Sequence, residues 1–259
     1  MAVLAHAGEP LVRARLVVGV ATVRPGEPFD LGVLLEIRKG WHVYWKTSGE
    51  AGVPTSLELE LPAGWKASEV LFPVPEDLSD ANVAQFGYTG SVLLVTRVTP
   101  PADLAPSGSI TIAARASWLC CERQCIPGEA ALRFAAPLAE RSTPDAEGAA
   151  LLERWRPRFP KDVAAETSGS LASGRFEARV RLEGAPGKLE VFAAAPDELR
   201  LKGLSARAHE NTVSVELEAR VLEGMRLERD DLEVVLVQQP PGGERRGVRF
   251  RLPLGRKQE

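Results

Sequence analysis

Apolar and polar positions alternate with a period of two along much of this chain. Phe29, Leu31, Val33, Leu35 and Ile37 would share one face of a strand, and Val12, Ala14, Leu16 and Val18 one face of an earlier strand. In the second half, Phe176, Ala178, Val180 and Leu182 alternate with Glu177, Arg179, Arg181 and Glu183. Val213, Val215, Leu217, Ala219 and Val221 repeat the pattern, as do Val248, Phe250 and Leu252. Successive side chains on a strand point to opposite faces, so these segments read as strands with one buried and one solvated side. Many such strands, punctuated by Gly and Pro, predict an all-β chain built as β-sandwiches.

One helix interrupts the pattern. Thr143-Pro144-Asp145 offers an N-cap, a proline at the first helical position and an acidic first turn. Leu151, Leu152 and Trp155 would form its buried stripe, and Pro157 and Pro160 would end it. The segment 139–165 is therefore expected to be a short helical linker. It would join a first sandwich over 9–138 to a second over 166–255. A chain of 259 residues, 44% of them apolar, is long enough for two such cores.

Charge narrows the function. The net charge is −3 and no basic run stands out, so no nucleic-acid partner is expected. No apolar stretch approaches the roughly 18 residues that a membrane-crossing helix needs. Met1-Ala-Val-Leu-Ala-His-Ala7 lacks a basic start, but Ala5-His6-Ala7 fits a small-residue cleavage site. It reads as the remnant of a secretory signal, with a mature chain beginning near Gly8 in an oxidising compartment.

Sulfur is concentrated at one point. All three cysteines lie in Cys120-Cys121-Glu-Arg-Gln-Cys125, followed by Ile126-Pro127-Gly128. On a strand leading into this cluster, Ile112, Ala114, Ala116, Trp118 and Cys120 would occupy an apolar face. Cys120 then reads as a small buried hydrophobe. Thr111, Ala113, Arg115, Ser117, Leu119 and Cys121 would occupy the more polar face, where a thiol can be reached. Cys121 and Cys125 form the natural redox pair, provided the chain turns between them. Disulfide geometry needs Cα atoms roughly 4.4–6.8 Å apart, whereas four extended residues span about 13 Å. Three readings stand side by side. One is a redox-active dithiol. Another is a structural disulfide beside a free cysteine, although so small a loop is a poor staple. The third is a Cu(I) site using Cys120, Cys121 and Cys125. Zinc is less suited, because it usually takes four ligands and no histidine lies nearby.

Elsewhere the signals are weaker. Residues 41–54, Trp-His-Val-Tyr-Trp-Lys-Thr-Ser-Gly-Glu-Ala-Gly-Val-Pro, read as a strand end and turn with core aromatics; His42 has no evident partner. Phe86-Gly87-Tyr88-Thr89-Gly90 reads either as a turn or as a lid over a reactive site. No nucleophile elbow, phosphate loop, dinucleotide fingerprint or zinc-protease helix is present, and Ser117 has no base beside it.

Three segments together resemble a known family. They are Trp41-His-Val-Tyr-Trp-Lys with Gly49-Glu-Ala-Gly-Val-Pro54, then Phe86-Gly-Tyr88, then Trp118-Leu-Cys-Cys-Glu-Arg-Gln-Cys-Ile-Pro-Gly128. Over roughly residues 9–138 the chain is similar to the periplasmic N-terminal domain of the thiol:disulfide interchange protein DsbD. The likeness is nearest to the ScsB-like branch, named for suppression of copper sensitivity. The resemblance implies an immunoglobulin-like sandwich in the periplasm, without an organic cofactor. Such a domain takes electrons from a membrane-embedded donor, on a separate chain or a C-terminal part. It passes them to thioredoxin-fold partners of the disulfide-isomerase type. Carried over, Cys125 would form the mixed disulfide and Cys121 would resolve it. Phe86, Gly87 and Tyr88 would form a shielding cap loop. Cys120, Trp118 and Pro127 would support the site. Thiol chemistry itself, apart from the resemblance, gives Arg123 in the turn, and Arg115 if it lies on the Cys121 face, two readings: groups that favour the thiolate, or solvated surface. The cysteine spacing here is shorter than in the classical domain. A second immunoglobulin-like sandwich would follow, as in the ScsB-like branch.

Overall fold

The computed structural model describes residues 9–80, 83–184 and 186–255. The proposed signal remnant at Met1–Ala7 lies outside them. The chain divides into two compact units, the first ending at Arg156 and the second beginning at Pro157.

The first unit contains twelve strands and a helix. In chain order they are β1 Val12–Val18, β2 Val20–Thr22, β3 Phe29–Ile37, β4 His42–Gly49, β5 Ser56–Glu60 and β6 Lys66–Ala67. There follow β7 Glu76–Asp77, β8 Gln85–Thr89, β9 Ser91–Thr99, β10 Ser109–Cys121, β11 Cys125–Pro137, β12 Thr143–Pro144 and α1 Ala146–Trp155. One sheet runs β1-β3-β9-β6; another runs β11-β10-β4-β8-β7, with β5 paired to β10 farther along. Both sheets contribute to one core, in which Phe29, Leu31 and Val98 from the first meet Ile112 and Ala136 from the second. The expected alternation is present in β10, where Ile112, Ala114, Ala116, Trp118 and Cys120 are all buried. In β3, Phe29, Leu31, Val33, Leu35 and Ile37 are buried as expected, and so is Leu34 on the opposite side.

The segment 139–165 is shared between the two units. Its helix packs on the first: Leu151, Leu152 and Trp155 are buried, and Gly148 sits so close to the Val18 carbonyl that a Cβ would overlap it. The cap differs from the sequence expectation. Asp145 is the N-cap, its side chain accepting from the Gly148 N–H at 2.7 Å. Pro144 stays extended because it pairs with Val20 in the short β12–β2 ladder.

The second unit contains β13 Lys161–Asp162, β14 Glu166–Ser170, β15 Arg175–Arg181, β16 Lys188–Ala194, β17 Leu199–His209, β18 Thr212–Val221, β19 Asp231–Gln239 and β20 Arg246–Pro253. Its sheets run β13-β20-β19-β16 and β14-β15-β18-β17. Phe176, Ala178 and Val180 from β15, Val213, Val215 and Leu217 from β18, and Phe250 and Leu252 from β20 share its core. The residues between them, such as Glu177 and Arg179, are the solvated face that the sequence pattern predicts; they pair with each other at 3.1 Å.

Candidate functional site: a disulfide at the tip of a long hairpin

Strands β10 and β11 form an antiparallel hairpin whose register runs unbroken from Ser109↔Pro137 to Cys121↔Cys125. Glu122, Arg123 and Gln124 make the connection, so the two cysteines are directly opposed at its tip. They form a disulfide with Cα atoms 4.2 Å apart. The turn required by the sequence argument is this hairpin turn. The two ends of the bond have different surroundings: Cys121 is only 3% exposed, whereas Cys125 lies on the surface.

The burial of Cys121 corrects the expectation that its face leaves the thiol within reach. Strand β4 runs along the end of β10, pairing Cys121 with His42 and Cys120 with Val43. Paired residues in an antiparallel sheet project to the same side, so His42 and Tyr44 share the face of Cys121. The Tyr44 hydroxyl donates to Cys121 Sγ at 3.5 Å, within the range for sulfur. Burial raises the Tyr44 pKa, so the phenol stays protonated and remains a donor at neutral pH. The His42 ring meets the Tyr44 ring edge to face, with centroids 5.3 Å apart. Burial lowers the His42 pKa, so its imidazole is neutral at pH 7.

A second segment fixes Tyr44 from outside. Gly52, at φ +100°, lies against the phenol so closely that a Cβ would overlap the ring. Only glycine readily combines that backbone conformation with that approach. The loop is held by several bonds. Glu50 donates its N–H to the Ala84 carbonyl at 2.8 Å, Ser48 Oγ donates to the Gly52 carbonyl at 3.2 Å, and Thr55 Oγ1 donates to the Tyr44 carbonyl at 2.6 Å.

Chemically, this is a disulfide with one cysteine exposed at the surface and the other enclosed beside a hydrogen-bond donor. The family model described as "Thiol:disulfide interchange protein DsbD, N-terminal" matches residues 11–137. Residues 11–137 belong to the DsbD N-terminal domain family. The structure is similar to the N-terminal periplasmic domain of ScsB from Proteus mirabilis, at 14% identity, a TM-score of 0.65 and coverage of 97% of each chain. That likeness of fold spans both units. The E. coli chaperone DraB overlaps 94% of this chain and 97% of its own at 9% identity, but its TM-score of 0.27 is too low to support an argument. No curated protein matches the chain.

The DsbD-like site differs in several particulars from the sequence expectation. Phe86, Gly87 and Tyr88, expected as a cap loop, belong to β8, which pairs with β4 through Val43↔Tyr88 and Tyr44↔Gly87. Tyr88 therefore lies on the Cys120 face, is 4% exposed, and donates to the Pro73 carbonyl at 2.8 Å. Burial, with Glu76 nearby, pushes its pKa well up. Gly87 lies so close to the Val43 carbonyl that a Cβ would overlap it, so this glycine lets the strands approach. Tyr44 contacts the disulfide through its hydroxyl.

Cys120 faces the interior, on the side opposite Cys121, and burial raises its thiol pKa to about 11. It stays protonated at neutral pH. The set Cys120, Cys121 and Cys125, considered for Cu(I), is thus divided between two faces, and two of its sulfurs are already bonded together. Trp118 is opposed by Gly128, which leaves room for the indole: a Cβ there would overlap it. Pro127 is exposed opposite Leu119, and Arg123 is exposed in the turn. Arg115 lies six residues before Cys121, about 20 Å along the strand. It faces Glu129 at 3.9 Å, which removes it from the thiolate.

Proposed function

We propose that this chain is a periplasmic electron-transfer module. It would carry reducing equivalents from a membrane-embedded donor to thioredoxin-fold proteins through Cys121 and Cys125, without an organic cofactor. The observation that carries the reading is the asymmetry of the disulfide, with Cys125 exposed and Cys121 enclosed by Tyr44. Membership of residues 11–137 in a thiol:disulfide interchange family supports it. Both units are read as immunoglobulin-like sandwiches, with the second as a spacer or docking platform.

In the reduced protein the Cys125 thiolate attacks a sulfur of the partner's disulfide. A bond forms between Cys125 and that sulfur, and the partner's second sulfur leaves as a thiolate that takes up a proton. Cys121 then loses its proton and attacks Cys125 Sγ. The Cys121–Cys125 bond forms, the mixed disulfide breaks, and the partner departs as a dithiol. Two electrons move from this chain to the partner. Tyr44 donates to Cys121 Sγ and so favours the anionic form that this second attack requires.

Trapping tests the division of roles. Reduced Cys121→Ser, which cannot resolve the intermediate, is expected to accumulate a mixed disulfide with an oxidised thioredoxin-fold protein. Cys125→Ser is expected to accumulate none, as read on non-reducing gels with mass spectrometry. Equal trapping by both variants, or trapping by Cys125→Ser alone, would overturn the assignment.

A further inference from the structure

The resolving step releases a proton in an enclosed place. Cys121 must lose its S–H proton before it attacks Cys125, and it is only 3% exposed. The residue directly opposite Cys121 on β4 is His42. Opposed side chains in an antiparallel sheet share a face and have Cβ atoms about 4.5–5.5 Å apart, within the reach of an imidazole. The His42 Nε2 is buried and has no hydrogen-bond partner among the described residues. Such orphaned groups are uncommon in folded proteins and often mark a reactive role. The neighbouring hydroxyls do not supply the missing bond. Tyr44 gives its hydroxyl proton to Cys121 Sγ at 3.5 Å. Thr89, paired with His42 from β8, gives its own to Glu76 Oε2 at 2.8 Å. In the disulfide Cys121 has no proton to offer. Reduction creates one, on the sulfur of the residue opposite His42.

We infer that His42 Nε2 is the base that takes the Cys121 proton when the mixed disulfide is resolved. The inference rests on the thiol-exchange reading and adds a residue to its second step. The S–H proton passes to Nε2, leaving a Cys121 thiolate beside an imidazolium. The thiolate's electron pair forms the bond to Cys125 Sγ. The bond between Cys125 and the partner breaks, and its electron pair leaves with the partner's sulfur. That sulfur takes up one proton, which the imidazolium returns, so protons and electrons balance. The neutral ring has what the step needs, because one of its nitrogens carries a proton and the other accepts one. Burial keeps His42 neutral at pH 7 and keeps the Tyr44 phenol protonated, so the imidazole and not the phenol is the base. The other polar groups around His42 are Cys125 on β11, Glu76 behind Thr89, and Glu122 in the turn after Cys121, whose Oε1 would lie 3.3 Å from a Cβ at Gly40. A carboxylate is a weaker base than an imidazole. Arg38 and Lys39 are exposed in the turn before β4.

The test uses the reduced full chain, the variant His42→Gln and a chromogenic aromatic disulfide. Attack by Cys125 releases a first equivalent of coloured thiolate, and attack by Cys121 on the resulting mixed disulfide releases a second. The aromatic thiolate leaves without needing a proton, so the second phase reports deprotonation of Cys121. Glutamine keeps a polar side chain but is no base. At pH 7 the second phase of His42→Gln is expected to slow at least tenfold, and the first to stay within about twofold. The pH profile separates this role from a structural one. In the parent the second phase should fall as the pH drops below about 6.5, where histidine takes up a proton, and level off above it. In the variant it should climb about tenfold per pH unit through neutrality, as for a thiol with no base beside it. The parent's profile decides even where the variant does not fold. Equal second phases at pH 7, equal slowing of both phases, or a parent profile that climbs without levelling off would overturn the role of His42 alone. A parent chain that releases only one equivalent would overturn the exchange reading, and this role with it.

Discussion

Cys125→Ser is expected to abolish thiol exchange with proteins, by a factor of at least about 10³, while the chain remains folded. Serine cannot form the mixed disulfide, and Cys121 is buried beneath Tyr44 where a partner's sulfur does not reach it. The fold has little to lose. A disulfide closing so short a loop stabilises by only about 2 kcal/mol, and the register from Ser109↔Pro137 to Cys120↔Ile126 persists without it. A loss of that size corresponds to a fall of about 4–8 °C in the melting temperature of a unit this large. Circular dichroism and a thermal melt check the fold, and a reductase assay checks the activity. An unfolded variant would instead identify the bond as a structural staple.

Gly52→Ala is the second large effect. The new Cβ would overlap the Tyr44 ring, and the φ of +100° is one that alanine rarely adopts. Backbone strain costs about 1–3 kcal/mol, and forcing the ring aside adds a comparable amount. Either the loop moves out or Tyr44 moves off Cys121. The variant should therefore melt lower and reduce faster with dithiothreitol, because the enclosed sulfur is uncovered. A melting temperature and a reduction rate both equal to the parent's would show that the loop does not hold Tyr44. The companion variant Tyr44→Phe separates the two effects: it keeps the ring in place and removes only the hydroxyl donor.

These two variants also mark where sequence reasoning succeeded and where it stopped. The period-two pattern in 112–120 and in 176–182 is a direct consequence of strand geometry and core burial, and both segments have the expected buried face. The Cys121–Cys125 pairing was legible because the alternation sets Cys120 on the apolar face and Cys121 on the other, and the hairpin supplies the turn that the pair requires. What lay beyond local pattern was the lateral neighbour. Cys121 falls on the more polar side of its own strand, yet it is buried because β4 brings Tyr44 over it. A signal existed: His42 and Tyr44 alternate with Val43 and Trp45, which places both polar rings on one face. Choosing which strand that face would meet needed the sheet order. Phe86-Gly-Tyr88 looked like a loop because glycines flank and interrupt it. The same glycine, Gly87, is what allows close strand pairing. Asp145 takes the cap in place of Thr143 because Pro144 is held in a ladder with Val20, a partner more than a hundred positions away.

The most direct test of the account is the redox state of Cys121–Cys125 in glutathione buffers of defined potential, read by thiol trapping and mass spectrometry with the protein folded throughout. The account predicts a reversible two-electron transition within the span of thioredoxin-fold carriers, about −120 to −270 mV, with Cys120 remaining a free thiol. A bond that resists reduction until the protein unfolds, or a cysteine pair that never closes, would contradict it.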